Sequence, residues 1–255
     1  MSTKARVSAS FLRALGTYES QAGLQAELAR ELLERLLPRL RSPLGNVLEI
    51  GCGTGLVTEA LLRHRTPSTL YLNDLVPELS PALQERVRFL PDRVWMPGDI
   101  EDLELPAPLD LVLSGATFQW LLDLPALLER LRRALRPGGL LAFTTFGPRN
   151  LEELRSLTGQ GLPYPEPEAL KTWVAARFHL LHWHVSLRAL RFPDPAHVLR
   201  HLRATGVNGL EAPHRSIGQV RAILRAYRQH YQDAEGQVTL TYHPILCIAQ
   251  RRERP

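Results

Sequence analysis

Cysteine is scarce in this chain. Cys52 and Cys247 are the only two, and they lie far apart, which excludes a disulfide framework and a cysteine-built zinc site. Lysine is just as rare: Lys4 and Lys171 stand alone, so arginine supplies nearly all of the 31 basic residues. No stretch approaches the roughly 20 consecutive apolar residues of a membrane span. The opening MSTKARVSASFLRAL has no apolar core of the kind a secretory signal carries. There is no low-complexity tract, no internal repeat, no basic tail and no metal-ligand spacing. These absences lead us to expect a cytoplasmic protein with no membrane anchor, no metal and no nucleic-acid partner.

What is present is globular. The 255 residues are 44% apolar and 22% charged, which suits a single large α/β domain over 1–255. Its charge is uneven. Residues 171–228 hold ten basic groups and two acids, Asp194 and Glu211, with six of the nine histidines. A sector of +8 on a body of −3 predicts an anionic partner or a solvated face.

Hydrophobic spacing predicts helices over 5–40, ended by Pro38. NVLEI at 46–50 reads as a buried strand, and GCGTGLVTEALLRH as a glycine-rich turn opening a helix. Further strands are predicted at 69–74, 94–99, 109–114 and 140–146. A helix capped by Asp123 precedes the last of them, with RPGG as the turn between. Pro77 and Pro81 predict a short or distorted helix between the second and third strands. Beyond Phe146, two helices, a strand over 180–192, two basic helices and a closing strand over 237–251 are expected. The organisation predicted is an N-terminal helical cap (1–42), a cofactor-binding core (43–146), an insertion (147–180) and a basic helical lid (193–235). Strands alternating with helices mean a mostly parallel sheet, whose ligands bind beyond the carboxyl ends of the strands beside strand one.

VLEIGCGTG carries the strongest chemical signal. Gly51, Gly53 and Gly55 follow strand one directly, where glycine permits a sharp turn and close approach to a ligand. Glu49 precedes the turn; a carboxylate there repels a pyrophosphate and suits an ammonium. Asp74 ends strand two, placed to accept ribose hydroxyls. Asp99 ends strand three, placed to accept an adenine amine, with Ile100 beside it. Cationic amino-acid tail, ribose and adenine together describe S-adenosylmethionine. The last stretch of interest is SGATFQWLL at 114–122. Strand four lies beside strand one, so Ser114 and Gly115 let the chain pass the cofactor, Gln119 reaches inward, and Trp120 packs the loop.

The set E-x-G-x-G-x-G, an acid after strand two and Asp99 after strand three resembles class I methyltransferases, implying a Rossmann-like α/β fold with a seven-stranded sheet and helices on both faces. A closer resemblance covers nearly the whole chain. SASFLRALGTYESQAGLQAELARELLERL, with Phe11, Tyr18 and Gln25, is similar to malonyl-acyl carrier protein O-methyltransferases of biotin synthesis. So are SGATFQWLLDL, AFTTFGPRNLEEL, FPDPAHVLRHLRATGVNG and LTYHPILCIAQR. That resemblance implies methyl transfer to the free carboxylate of a malonyl thioester on acyl carrier protein, giving an ester that primes pimeloyl synthesis. Arg149 is the expected carboxylate clamp, and Tyr18 and Gln119 are expected to hold either the cofactor's amino-acid end or the malonyl group. The acidic carrier protein is expected on the basic sector, with Arg200, Arg203, Arg221, Arg225 and Arg228 facing it. Another small acid or a quinone remains the alternative substrate.

Overall fold

A computed structural model describes residues 3–78, 80–206 and 216–253. In chain order its elements are helices α1 (Thr3–Gln21) and α2 (Gly23–Leu36), strand β1 (Leu44–Ile50), α3 (Leu56–Leu62), β2 (Pro67–Asp74), α4 (Pro81–Val87), β3 (Arg93–Pro97) and β4 (Leu109–Gly115). Then come α5 (Leu124–Ala134), β5 (Leu135–Phe146), α6 (Glu152–Thr158), α7 (Pro167–Ala175), β6 (His179–Val185), β7 (Arg188–Phe192), α8 (Pro195–Ala204), α9 (Ile217–Tyr231), β8 (Val238–Tyr242) and β9 (Pro244–Gln250). No helix among the described residues is long and apolar enough to cross a membrane.

The chain forms two compact units. The sheet unit takes Ala22–Thr145, Glu166–His184 and Ile245–Pro255; the helical unit takes Met1–Gln21, Phe146–Pro165 and Val185–Pro244. The 1–42 segment is thus divided, α1 going to one unit and α2 to the other. The 147–180 segment divides likewise, between α6 and α7.

In the sheet unit, seven strands run in the order β3-β2-β1-β4-β5-β9-β6. The pairs β1–β2, β1–β4, β2–β3 and β4–β5 are parallel. The strand order reverses at β1, with β2 on one side and β4 on the other, and so creates a crevice at the carboxyl ends. Register brings Ile50, Asn73 and Ser114 level there. The core strands carry Val47, Leu48, Ile50, Leu111, Val112 and Leu113, all fully buried, as expected for a sheet covered on both faces. Helix α5 shows why these segments are helical. Leu124, Leu127, Leu128 and Leu131 form one buried face, Asp123 accepts from the Ala126 N–H at 3.0 Å, and Pro125 sits in the first turn. Helix α4 is short, seven residues begun by Pro81 and capped by Ser80.

Three expectations need correction. RPGG is no turn between elements: β5 starts at Leu135 and runs through it, with a register shift opposite Leu109/Leu111. Gly138 takes a φ of +76° there, and a Cβ on Gly139 would stand 2.9 Å from the Arg136 carbonyl, so both glycines fit an irregular strand. The single strand expected at 180–192 is two, β6 and β7. The closing strand also breaks, at His243, into β8 and β9. Pro244 has no N–H and restricts the residue before it. The main sheet takes β6 and β9, whereas β7 and β8 pair antiparallel as a separate ribbon.

In the helical unit, α1 packs with α8, and α6 with α9 and β8. Among its buried apolar side chains, such as Val198, Leu202, Val238 and Leu240, stand two hydrogen-bonded polar pairs. The buried Glu153 carboxylate accepts from the N–H and hydroxyl of Thr241, at 3.0 and 2.6 Å. His201 Nε2 and the Tyr242 hydroxyl share a hydrogen bond of 2.9 Å. Residues 207–215 lie outside the described residues, and with them the VNG of LRATGVNG, Glu211 and Arg215.

Candidate cofactor site

The glycine turn leaves β1 at the crevice, and its three glycines are needed for three different reasons. All have positive φ: +67° at Gly51, +52° at Gly53 and +93° at Gly55. A Cβ on Gly51 would lie 2.1 Å from Thr117 Oγ1, and one on Gly55 would lie 2.8 Å from Leu83 Cδ1. A Cβ on Gly53 would meet nothing within 4 Å beyond its chain neighbours. The turn is therefore pinned at both ends and open at its centre, where a ligand can approach the backbone.

Several residues brace it from behind. The Ser114 hydroxyl, wholly buried, donates to the Ile50 carbonyl at 2.9 Å. Thr117 Oγ1 donates to the Gly115 carbonyl at 3.1 Å. Ser80 Oγ donates to the Gly53 carbonyl at 3.2 Å and Arg86 Nη1 to the Thr54 carbonyl at 2.8 Å. Thr117, Ser80 and Arg86 escaped the sequence reading. Of these only Ser80 had a local signal, as the residue before a helix-opening proline. Ser114, expected as a cofactor contact, uses its hydroxyl to tie β4 to the start of the turn.

The three expected carboxylates differ sharply in environment. Glu49 is 1% exposed. It accepts from the N–H and the hydroxyl of Thr58, in the first turn of α3. Burial pushes its carboxyl up to about 7, against the pull of those Thr58 bonds. The Asp74 carboxylate accepts from the Gly53 N–H at 2.8 Å and the Val76 N–H at 2.9 Å, leaving further lone pairs for a ligand. It is half-buried, and burial raises its pKa against those two bonds. Asp99 accepts from the Glu101 N–H at 3.0 Å, and Ile100 is buried behind it.

Past β4 the backbone is strained: Ala116, with a side chain, adopts a φ of +51°. Its N–H bonds the Thr144 carbonyl at 3.0 Å. Phe118 plugs the core, 2% exposed and stacked on Phe143 at 4.6 Å. Gln119 is held at both ends of its amide, donating to the Ala116 carbonyl and accepting from Thr145 Oγ1 at 3.1 Å. Trp120, expected to pack the loop, is half-buried.

Glu49, Gly51, Gly53, Gly55, Asp74, Asp99, Ile100, Ser114 and Gln119 all belong to the sheet unit, whereas Tyr18 and Arg149 belong to the helical unit. The Tyr18 ring lies 6.4 Å from that of Phe11. Arg149 is exposed, and its fork grips Glu152 with two bonds of 2.8 Å. Its N–H donates to His243 Nδ1 at 3.1 Å. The expected carboxylate clamp thus already holds a carboxylate of its own chain. Among the described residues, no group of three or more His, Cys, Asp or Glu is arranged to hold a metal ion.

The open centre at Gly53 and the carboxylates at the ends of β1, β2 and β3 fit a ligand with a cationic tail, a diol and an amine-bearing base. They do not suit a pyrophosphate, which Glu49 would repel.

Comparisons with known proteins agree. The sequence model of the family described as "Methyltransferase domain" matches residues 20–203. A malonyl-[acyl-carrier protein] O-methyltransferase of Chlorobium phaeovibrioides is 42% identical over 247 residues, 95% of each chain. One from Bacteroides thetaiotaomicron is 35% identical over 95% of this chain and 96% of its own. Among solved structures, the N-methyltransferase NodS of Bradyrhizobium japonicum, in complex with S-adenosyl-L-homocysteine, superposes with a TM-score of 0.54 at 17% identity. That match covers 93% of this chain and 99% of NodS.

Proposed function

The chain belongs to the malonyl-[acyl-carrier protein] O-methyltransferase family, and from that premise we infer that it methylates the free carboxylate of a malonyl thioester on acyl carrier protein. S-adenosylmethionine is the methyl donor, and the neutral ester primes pimeloyl synthesis toward biotin. The near full-length likeness to the Chlorobium relative, 95% of each chain, carries the substrate assignment. When bound, the cofactor supplies an electrophilic methyl on a sulfonium. The malonyl carboxylate is already ionised at neutral pH, so the transfer requires no proton to be removed. The residues' work is to bind, align and exclude water. Asp74 receives the ribose, Asp99 and Ile100 the base, and the negative charge of Glu49 beneath the turn favours the ammonium. Gly51, Gly53 and Gly55 shape the approach. Gln119, rigidly braced, borders the reacting end, with Ser114 fixing the strand behind it. Tyr18 and Arg149 are proposed to handle the malonyl group; for Arg149 this means exchanging Glu152 for the substrate carboxylate. A cytoplasmic location fits the free, buried Cys52 and Cys247.

Purified protein, labelled S-adenosylmethionine and a panel of malonyl-, succinyl- and acetyl-carrier-protein thioesters plus free acids test this reading. Methyl transfer confined to the malonyl thioester is expected. Transfer only to a free acid, or none to malonyl-carrier protein, would overturn it.

For the carrier protein, the basic sector narrows to two helices. Lys171 pairs with Glu168 at 3.7 Å and Arg177 with Glu129 at 3.9 Å, and Arg191 bonds Asp233 and Glu235. Arg200 and Arg203 on α8 and Arg221, Arg225 and Arg228 on α9 are exposed and have no acidic partner among the described residues. The α9 arginines recur at helical spacing in line with Ile217, which is 73% exposed. We place the acidic carrier protein on this face. Reversing Arg221 and Arg225 to glutamate is expected to raise KM for malonyl-carrier protein about tenfold and to weaken its salt dependence. KM for a small malonyl thioester should stay within about twofold; equal rises for both substrates would rule out docking here.

A further inference from the structure

Two side chains outside the cofactor contacts join the segment after β3 to the segment after β4. Arg130 projects from α5 toward the first of them. Its Nη1 donates to the carbonyls of Ile100 at 3.0 Å and Glu101 at 2.6 Å, and its Nη2 to the carbonyl of Leu103. The Glu101 carboxylate faces the other way. It accepts from the Leu122 N–H at 3.1 and 3.0 Å and from the Asp123 N–H at 2.6 Å. Asp123 in turn caps α5, the helix that carries Arg130. The connections close on themselves: α5, Arg130, the 100–103 carbonyls, Glu101, the backbone at 122–123, and α5 again.

We propose that Arg130 and Glu101 are positioning residues that hold Asp99 and Ile100 in the geometry needed to read the cofactor's base. The proposal rests on assigning the base to Asp99 and Ile100. Arg130 grips the carbonyl of Ile100 and the one after it, so the peptide planes on both sides of residue 101 are fixed. The Asp99 carboxylate accepts from the Glu101 N–H at 3.0 Å, and the Asp99 carbonyl accepts from Asp102 and Leu103 at 2.9 and 3.1 Å. Slack in the 100–101 peptide therefore reaches Asp99 directly. A guanidinium is suited to this because its planar fork serves several carbonyls at once, while an ammonium is a single point charge.

The test compares Arg130→Lys and Glu101→Gln with the unaltered enzyme. Calorimetry measures binding of S-adenosylhomocysteine and of S-inosylhomocysteine, which lacks the exocyclic amine of adenine. Steady-state kinetics supply kcat and both KM values. The altered proteins are expected to bind S-adenosylhomocysteine about tenfold more weakly and to lose most of their preference over the inosyl compound. KM for the malonyl substrate and kcat at saturating cofactor should stay within about twofold. An unchanged preference ratio, or an equal fall in every parameter, would reduce the clamp to a purely structural role and overturn the proposal. If Arg130→Lys does not fold, Glu101→Gln carries the same comparison. If the unaltered enzyme binds neither compound, the cofactor reading itself fails, and that result is distinct from failure of the clamp.

Discussion

Replacing Gly51 with alanine is expected to destabilise the protein by about 2–5 kcal/mol and to abolish measurable binding of S-adenosylhomocysteine. Two costs add. A residue with a side chain held at left-handed φ costs about 1–2 kcal/mol, and Gly51 sits at +67°. The new Cβ would also meet Oγ1, Cγ2 and Cβ of Thr117 at 2.1, 2.5 and 2.8 Å, and overpacking of this kind costs about 1–3 kcal/mol. Thr117 cannot retreat freely, because its hydroxyl bonds the Gly115 carbonyl in a loop already strained at Ala116. Two comparisons separate the costs. Gly53→Ala meets open space and should lose only the conformational part of stability. Thr117→Gly in the Gly51→Ala background should recover part of the clash. Urea denaturation of the three proteins decides it. A Gly53→Ala protein as unstable as Gly51→Ala would mean that conformation, and not the Thr117 contact, governs the turn.

The second large effect concerns Glu49. Glu49→Gln should weaken cofactor binding on the order of 100-fold, the ~3 kcal/mol of one charge pair roughly 5–6 Å apart at an effective dielectric near 20. The same change should make the unliganded protein more stable in alkali. The Glu49 carboxyl titrates at about 7 in the folded chain and near the ordinary ~4.3 in the unfolded one. Its pKa is raised, so folding favours the protonated form. That contribution is complete below pH ~4.3 and disappears as pH rises through 7, a loss of about 4 kcal/mol. Urea melts between pH 5 and pH 8 should show the unaltered protein losing this stability while Glu49→Gln does not. Cofactor affinity runs the opposite way. An ammonium above the turn favours ionised Glu49, so binding releases a proton, and affinity should rise from pH 6 to pH 7 in the unaltered enzyme alone. Parallel stability curves for the two proteins would mean that Glu49 is ionised in the folded chain throughout.

Both predictions turn on residues whose positions were legible in the sequence and whose partners were not. The alternation of apolar runs and helical spacing was enough for the parallel sheet, the turn after β1 and the acids at the ends of β2 and β3. Pro81 announced the short α4, and Asp123 the start of α5. These are local signals, because backbone conformation depends on a few neighbouring side chains.

What failed was mostly long-range. The strand expected at 237–251 splits at Pro244, and its first half pairs with β7, some fifty residues away in sequence. The partner that Arg149 holds in the folded chain, Glu152 one helical step on, was likewise not read from the sequence. Arg177 and Arg191 looked like part of one basic face until Glu129, Asp233 and Glu235 came within reach.

By itself, then, the sequence determined the alternation of strands and helices from β1 to β5, the glycine turn and the chemical types of group at the strand ends. Periodicity and glycine punctuation act over a handful of residues. Only the tertiary structure decided that Glu49 is buried on Thr58, that Thr117 pins Gly51, that Arg130 holds the 100–103 carbonyls and that, among the described residues, Arg200, Arg203, Arg221, Arg225 and Arg228 have no acidic partner. Charge state and partner choice depend on burial and on distances between residues tens of positions apart, and those exist only once the chain has folded.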